Sequence, residues 1–275
     1  MSTINTNMSS LNAQRNLTKS SNELQTSMTR LSSGLRVNSA KDDAAGLSIA
    51  TKMDSQVRGM SQASRNANDG ISMIQTADGA MSNISDALQR MRELAVQAAN
   101  GTNGTDETGN IATEMDALAT EVGRIASTTN FNGKALLDNT ADTTVKIQVG
   151  ANKDEAIDVT FKKSDTYSKF TASTDLKVDT PANAGATIKK LDDALKALNT
   201  ERASLGTAQN RMGYAISNLA SSIENQSAAK SRIMDTDYAA ETSKLSRSQI
   251  LQQAGTAMLA QANSAPNSVM SLLRG

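Results

Sequence analysis

The sequence predicts a mainly α protein: a long antiparallel helical bundle or coiled coil built from the N- and C-terminal segments, with a small β-hairpin-containing insert in the middle. Three observations carry this. Apolar residues recur at alternating spacings of three and four over both ends of the chain, as on one face of a helix. Only 2 prolines occur in 275 residues, so helices can run far without interruption. The period drops to two only near residues 145–161. Aromatic residues make up 2% of the chain and hydrophobic residues 38%. Large rings usually dominate burial, so this composition suits a long thin bundle better than a thick core.

From the N-terminus, Ile4, Met8 and Leu11, then Leu24, Met28, Leu31 and Leu35, form a narrow apolar seam. Gly34, Asn38 and Gly46 interrupt it, which predicts a non-helical joint over residues 33–44. Residues 44–99 then read as one helix, roughly 80 Å long at its rise per residue. Its seam begins at Met53, Val57, Met60, Ala67, Ile71, Ile74 and Met81. It then moves to Ala77, Ala80, Ile84, Ala87, Met91, Leu94 and Ala98, in the manner of a coiled-coil stutter. Asn100-Gly101 should end the helix. After a polar loop, Ile111, Met115, Leu118, Val122 and Ile125 predict a shorter helix that reverses direction. Asn130-Phe131-Asn132-Gly133 reads as a turn anchored by its aromatic residue.

Val145, Ile147 and Val149 alternate with polar residues, as do Ile157, Val159 and Phe161, so the intervening GANKDE should close a hairpin. Residues 164–185 read as an exposed crossing with a short strand near Leu176 and Val178. Tyr167 and Phe170 lie in this stretch, just after Phe161. The next helix carries Ile188, Leu191, Leu195, Leu198, Leu205, Met212, Ile216, Leu219 and Ile223, with Arg202 and Gln209 at polar seam positions. A last helix over residues 238–263 carries Leu245, Leu251, Met258 and Leu259. Pro266 should stop it, leaving Val269, Met270, Leu272 and Leu273 as an apolar tail.

The chemistry is sparse. There is no cysteine and no histidine, which removes disulfides, thiol nucleophiles, imidazole bases and nearly all zinc sites. With 28 basic and 28 acidic residues the net charge is zero, so nothing favours nucleic acid or an acidic membrane surface. No apolar run is long enough for membrane insertion. The N-terminus lacks a basic segment followed by an apolar one, so a cleaved Sec-type signal is not expected. Asp42-Asp43 is better read as a charge pair at a helix N-terminus than as a metal site. No cofactor and no enzymatic activity are expected. Weak apolar stripes at both ends point instead to self-assembly.

Four segments carry a family resemblance: LSSGLRVNSAKDDAAG at 31–46, LQRMRELAVQAANGTN at 88–103, FNGKALL at 131–137 and SQILQQAGTAMLAQAN at 248–263. Together with the closing VMSLLRG they resemble bacterial flagellin over residues 1–140 and 186–275. The resemblance implies a structural subunit that polymerises into the flagellar filament for motility. It implies secretion unfolded through the flagellar type III channel, an extracellular location, and contact with cap and hook–filament junction proteins. Residues 1–44 and 233–275 would line an inner tube, 45–140 and 186–232 the next shell, and 141–185 a short surface insert. The assembly residues would be Ile4, Met8, Leu11, Leu24, Met28, Leu31, Leu35, Leu245, Leu251, Met258, Leu259, Val269, Leu272 and Leu273. An export chaperone would bind the C-terminal helix. The resemblance also implies recognition by a host's flagellin-sensing Toll-like receptor through Gln89, Arg90, Leu94 and Glu114, and by a cytosolic innate sensor. The alternative is a hook–filament junction protein, whose ends match this signature poorly. A protease insert would need an HExxH motif, which a chain without histidine lacks.

Overall fold

The computed structural model describes residues 6–138, 141–162 and 176–274, with side chains up to residue 264. Ile4, Tyr167 and Phe170 lie outside the described residues, as do the side chains of Val269, Leu272 and Leu273. The elements in chain order are α1 (Met8–Ser33), α2 (Ala44–Ala98), α3 (Thr105–Thr128), β1 (Asn130–Phe131), β2 (Lys134–Ala135), β3 (Thr143–Gln148), β4 (Ala156–Phe161), α4 (Pro181–Met234) and α5 (Tyr238–Arg274). The chain divides into two units, one of residues 1–55 with 225–275 and the other of residues 56–224. None of the described helices is long and apolar enough to cross a membrane.

Local chemistry sets the helix ends. Asn7 caps α1 by accepting the Ser10 N–H at 3.0 Å. Gly34 ends that helix with φ 72°, a left-handed conformation that glycine adopts without strain. Asp43 caps α2 through the Gly46 N–H at 2.8 Å, which is the helix-start role expected for the aspartate pair. Thr180 accepts the Asn183 N–H at 3.3 Å, so α4 begins at Pro181, where proline loses no helical hydrogen bond. The expected exposed crossing therefore ends earlier than residue 185. Asp237 caps α5 through the Ala239 and Ala240 N–H groups at 2.9 and 3.2 Å.

In the unit of residues 56–224, one apolar cluster joins α2, α3, α4 and the hairpin strands. The expected stutter in α2 is a widening instead. Met73 and Ile74, and later Leu94 and Ala95, are buried as adjacent pairs. A helix with neighbours on two sides needs a broad apolar face rather than a single seam. Polar pairs rim this core. Arg92 meets Asp192 at 2.6 Å, and Arg202 meets Asp78 at 2.7 Å. The second pair accounts for an arginine at a seam position of α4.

Strands β3 and β4 pair antiparallel with Val145 opposite Val159 and Ile147 opposite Ile157. Ile157, Val159 and Phe161 face the core. The turn at 130–133 is a complete two-residue hairpin between β1 and β2. Asn132 at φ 50° and Gly133 at φ 77° supply the left-handed pair that its tight geometry requires. Leu176 and Val178 are buried against the same core but form no strand. Nor does α5 stop at residue 263; it continues through Pro266 to Arg274.

In the other unit, the two connections run side by side. Arg36 N–H donates to the Met234 carbonyl at 2.6 Å and Thr236 N–H to the Gly34 carbonyl at 3.0 Å, forming a single antiparallel bridge. Val37, Ala50 and Met234 make a small cluster beneath it. The Lys230 ammonium pairs with the Asp54 carboxylate nearby.

Candidate assembly and recognition surfaces

Helices α1 and α5 pack along each other, and the residues between them are only in part the apolar set that spacing suggested. The α1 side is Leu17, Ser20, Leu24, Ser27 and Leu31; the α5 side is Glu241, Leu245, Ser248, Gln252, Gly255 and Leu259. Both follow the alternating three-and-four spacing of a coiled coil. Ser20, Ser27, Glu241 and Ser248 are buried, whereas Leu24, Leu31, Leu245 and Leu259 are half-buried. Leu35, also expected in the seam, is half-buried against the Val37 cluster.

Polar contacts fasten this seam. The Ser27 hydroxyl donates to Glu241 at 2.7 Å, and the Lys244 ammonium donates to the other oxygen at 3.1 Å. Asn7 Nδ2 donates to the Ala262 carbonyl at 2.7 Å, and Ser10 to Asn263 Oδ1 at 2.7 Å. Burial opposes charge on Glu241, but the hydrogen bonds from Ser27 and Lys244, with Arg30 nearby, hold its carboxyl below the usual value.

The larger apolar side chains face outward. Met8 is 60% exposed, Met28 57%, Ile250 65% and Met258 63%, with Leu11 and Leu251 also exposed. The expected seam through Met28 is therefore wrong: Ser27, one position earlier, faces α5. Leu24, Ser27 and Leu31 keep the three-and-four phase that faces α5, and position 28 falls outside it. Sequence reasoning also passed over Ile250, although it adjoins Leu251 and lies one turn from Ala254.

The second candidate surface lies on α2 and α3. Arg90 donates to Glu114 through Nε at 3.0 Å and through its terminal nitrogen at 2.9 Å, and to Glu93 at 3.1 Å. Hydrogen bonding to Glu114, then to Glu93, holds the guanidinium above its ordinary pKa. Gln89 is exposed and donates to Ser85 Oγ at 3.3 Å. Leu94 does not share this surface. It is 2% exposed and belongs to the core. Val96, one turn from Arg92, is the exposed apolar residue of this stretch.

At 38–43 the carboxylates serve the loop. Asp42 accepts from the Ser39 hydroxyl and the Ser39 and Asn38 N–H groups, which lower its pKa. Among the described residues no cluster of acidic side chains could hold a metal ion.

The bacterial flagellin N-terminal helical region matches residues 4–142, and the bacterial flagellin C-terminal helical region matches residues 188–273. The chain belongs to the bacterial flagellin family. It is 48% identical over 271 residues to a flagellin of Halalkalibacterium halodurans, covering 98% of this chain and 99% of that one. It is 42% identical to the flagellar filament 33 kDa core protein of Treponema phagedenis, again over 98% and 99% of the two chains. A crystal structure of Bacillus cereus flagellin shares 36% identity and a TM-score of 0.48, over 60% of this chain and 94% of that one. Between the two matched regions lies the stretch that carries β3 and β4. As a flagellin the chain is a structural subunit of the extracellular flagellar filament, not an enzyme. The filament itself, rather than the hook–filament junction, is the place these matches favour.

Proposed function

We propose that the outward apolar residues of α1 and α5 are the contacts through which subunits polymerise. The observation that supports this is the inversion of the terminal pair, in which Ser20, Ser27 and Ser248 are inside while Met8, Met28, Ile250 and Met258 are outside. Fully burying a Met or Leu side chain contributes about 1.5–3 kcal/mol. A single chain leaves that gain unused, and neighbouring copies recover it. In this reading residues 1–44 and 233–275 form the inner tube, 45–140 and 186–232 the surrounding shell, and 141–185 the surface. The subunit leaves the cell through the flagellar channel with a chaperone on its C-terminal helix, and adds beneath the cap beyond the junction proteins.

The test is the triple substitution M28S/L251S/M258S. The soluble chain should keep the thermal unfolding of residues 56–224 and fail to elongate filament seeds. Normal elongation would remove the terminal faces from consideration.

We further infer that Gln89, Arg90 and Glu114 form an epitope for the flagellin-sensing Toll-like receptor. Their exposure and mutual hydrogen bonding off the apolar face of α2 support this. Glu114→Ala should weaken receptor signalling in reporter cells, and an unchanged response would count against it. A cytosolic sensor reading the C-terminal tail completes the proposed partners.

A further inference from the structure

The α1–α5 seam repeats itself. Seven residues separate Leu17 from Leu24, Leu24 from Leu31, and Ser20 from Ser27. Sliding α1 by one heptad along α5 therefore sets Leu17, Ser20 and Leu24 where Leu24, Ser27 and Leu31 were, with Ser10 and Ala13 taking the places of Leu17 and Ser20. Even the hydroxyl that meets Glu241 is replaced, because Ser20 takes the place of Ser27. Seams this repetitive specify alignment poorly unless a polar residue intervenes. A slide the other way brings Gly34 to that place, which offers no hydroxyl and is not helical.

Charge distinguishes the two alignments. Arg30 follows Ser27 by three residues, on the same side of α1, and lies close enough to Glu241 to favour its charged form. Its Nε is buried without a hydrogen-bond partner. The residue seven positions earlier is Glu23. In the slid alignment a second carboxylate would therefore stand beside the buried Glu241. Lys244 lies on the same helix as Glu241 and travels with it, so it contributes equally to both alignments.

The geometry points to Glu241 as the seam side chain that selects the α1–α5 alignment alongside the backbone bridge of Leu35 and Asp235, attracted by Arg30 in the native pairing and repelled by Glu23 in the slid one. Repulsive elements of this kind give specificity where attractive packing is degenerate. The rule concerns pairing within one chain. It stands apart from the proposed contacts between subunits.

Disulfide trapping tests it, because the chain contains no cysteine. A Cβ placed at Gly255 lies 3.8 Å from the Leu17 Cβ, inside the range of about 3.5–4.5 Å that a disulfide needs. L17C/G255C thus reports the native alignment and S10C/G255C the slid one. Each pair is placed in the full chain, which is polymerised, oxidised and run on a denaturing gel. Chains that do not polymerise are oxidised in solution. The within-chain cross-link is read as a mobility change that reduction reverses. In the parent chain the native pair should close and the slid pair should not. The charge exchange E23R/R30E should shift the ratio toward the slid pair by at least about tenfold, and E241Q should move it the same way by less. An unchanged ratio in both variants would overturn the proposal. So would loss of both cross-links with helix content retained, since Glu241 would then hold the helices together without choosing their alignment.

Discussion

The Ser27 hydroxyl donates a 2.7 Å hydrogen bond to Glu241, a residue 214 positions away along the chain. It joins the two ends of the sequence through a buried carboxylate held below its usual pKa by Ser27, Lys244 and Arg30 against the opposing effect of burial. A depressed carboxyl contributes stability that is present above the unfolded pKa and is lost as pH falls through the folded one. We expect α1–α5 pairing in filaments to weaken as pH drops below the ordinary glutamate range. Hydrogen exchange at α1 and α5 should accelerate there, and much of that acceleration should be absent in Glu241→Gln. Identical pH profiles for the two proteins would assign acid sensitivity elsewhere.

Glu201 behaves in the opposite sense. Burial pushes its carboxyl above the usual value and Asp142 adds to that. The Lys162 N–H, bonded at 3.0 Å, and the Lys162 charge oppose the shift. A raised carboxyl contributes stability that is complete at low pH and is lost as pH rises through the folded pKa. Glu201→Gln keeps an oxygen for the Lys162 N–H and has no charge to bury. Its melting temperature should exceed that of the parent at about pH 8 and approach it at about pH 4. A variant less stable at both values would show that the ionised carboxylate is needed.

Arg90→Ala should separate recognition from folding. Its side chain is 51% exposed and its partners Glu93 and Glu114 are exposed as well. Exposed pairs contribute about 1 kcal/mol or less, so unfolding should change by within about 0.5 kcal/mol. Receptor signalling should fall far more. A large loss of stability would mean that the Arg90–Glu114 link between α2 and α3 supports the core.

Removal of residues 262–275 deletes the Ala262 carbonyl and Asn263, which hold Asn7 and Ser10. Residues 56–224 form a compact unit of their own. Their thermal transition should be unchanged while filament growth stops. Growth of normal filaments would show the tail to be dispensable.

Much of this architecture is visible before folding. The limits of α2 follow from the Asp42-Asp43 pair and Asn100-Gly101, the β3–β4 pairing from strict alternation, and Arg202 as a seam residue from its place in the heptads of α4. What escapes notice shares one cause. A serine reads as solvent-facing and a methionine as a seam residue, so spacing marks Met28 and Met258 for the seam and passes over Ser20, Ser27 and Ser248. The spacing of helix positions is legible, but whether 24-27-31 or 24-28-31 faces the partner is not, because both follow the three-and-four rule. The same blindness to neighbours places Leu176 and Val178 in a strand, whereas Leu94, a seam residue by its spacing, is put on the recognition surface by the resemblance alone. The proposed epitope was legible only through resemblance, because nothing in Gln89, Arg90 and Glu114 themselves announces a receptor.

A serine-lined joint between α1 and α5 also bears on where a filament is weakest. In the proposed assembly a subunit midway along the shaft has its outward methionines and leucines covered on every side. One at an open tip is covered on one side only, and its own seam offers little to compensate. Fraying should therefore begin at the tips, and the polymer should shorten from its ends under mild denaturant long before it breaks in the middle.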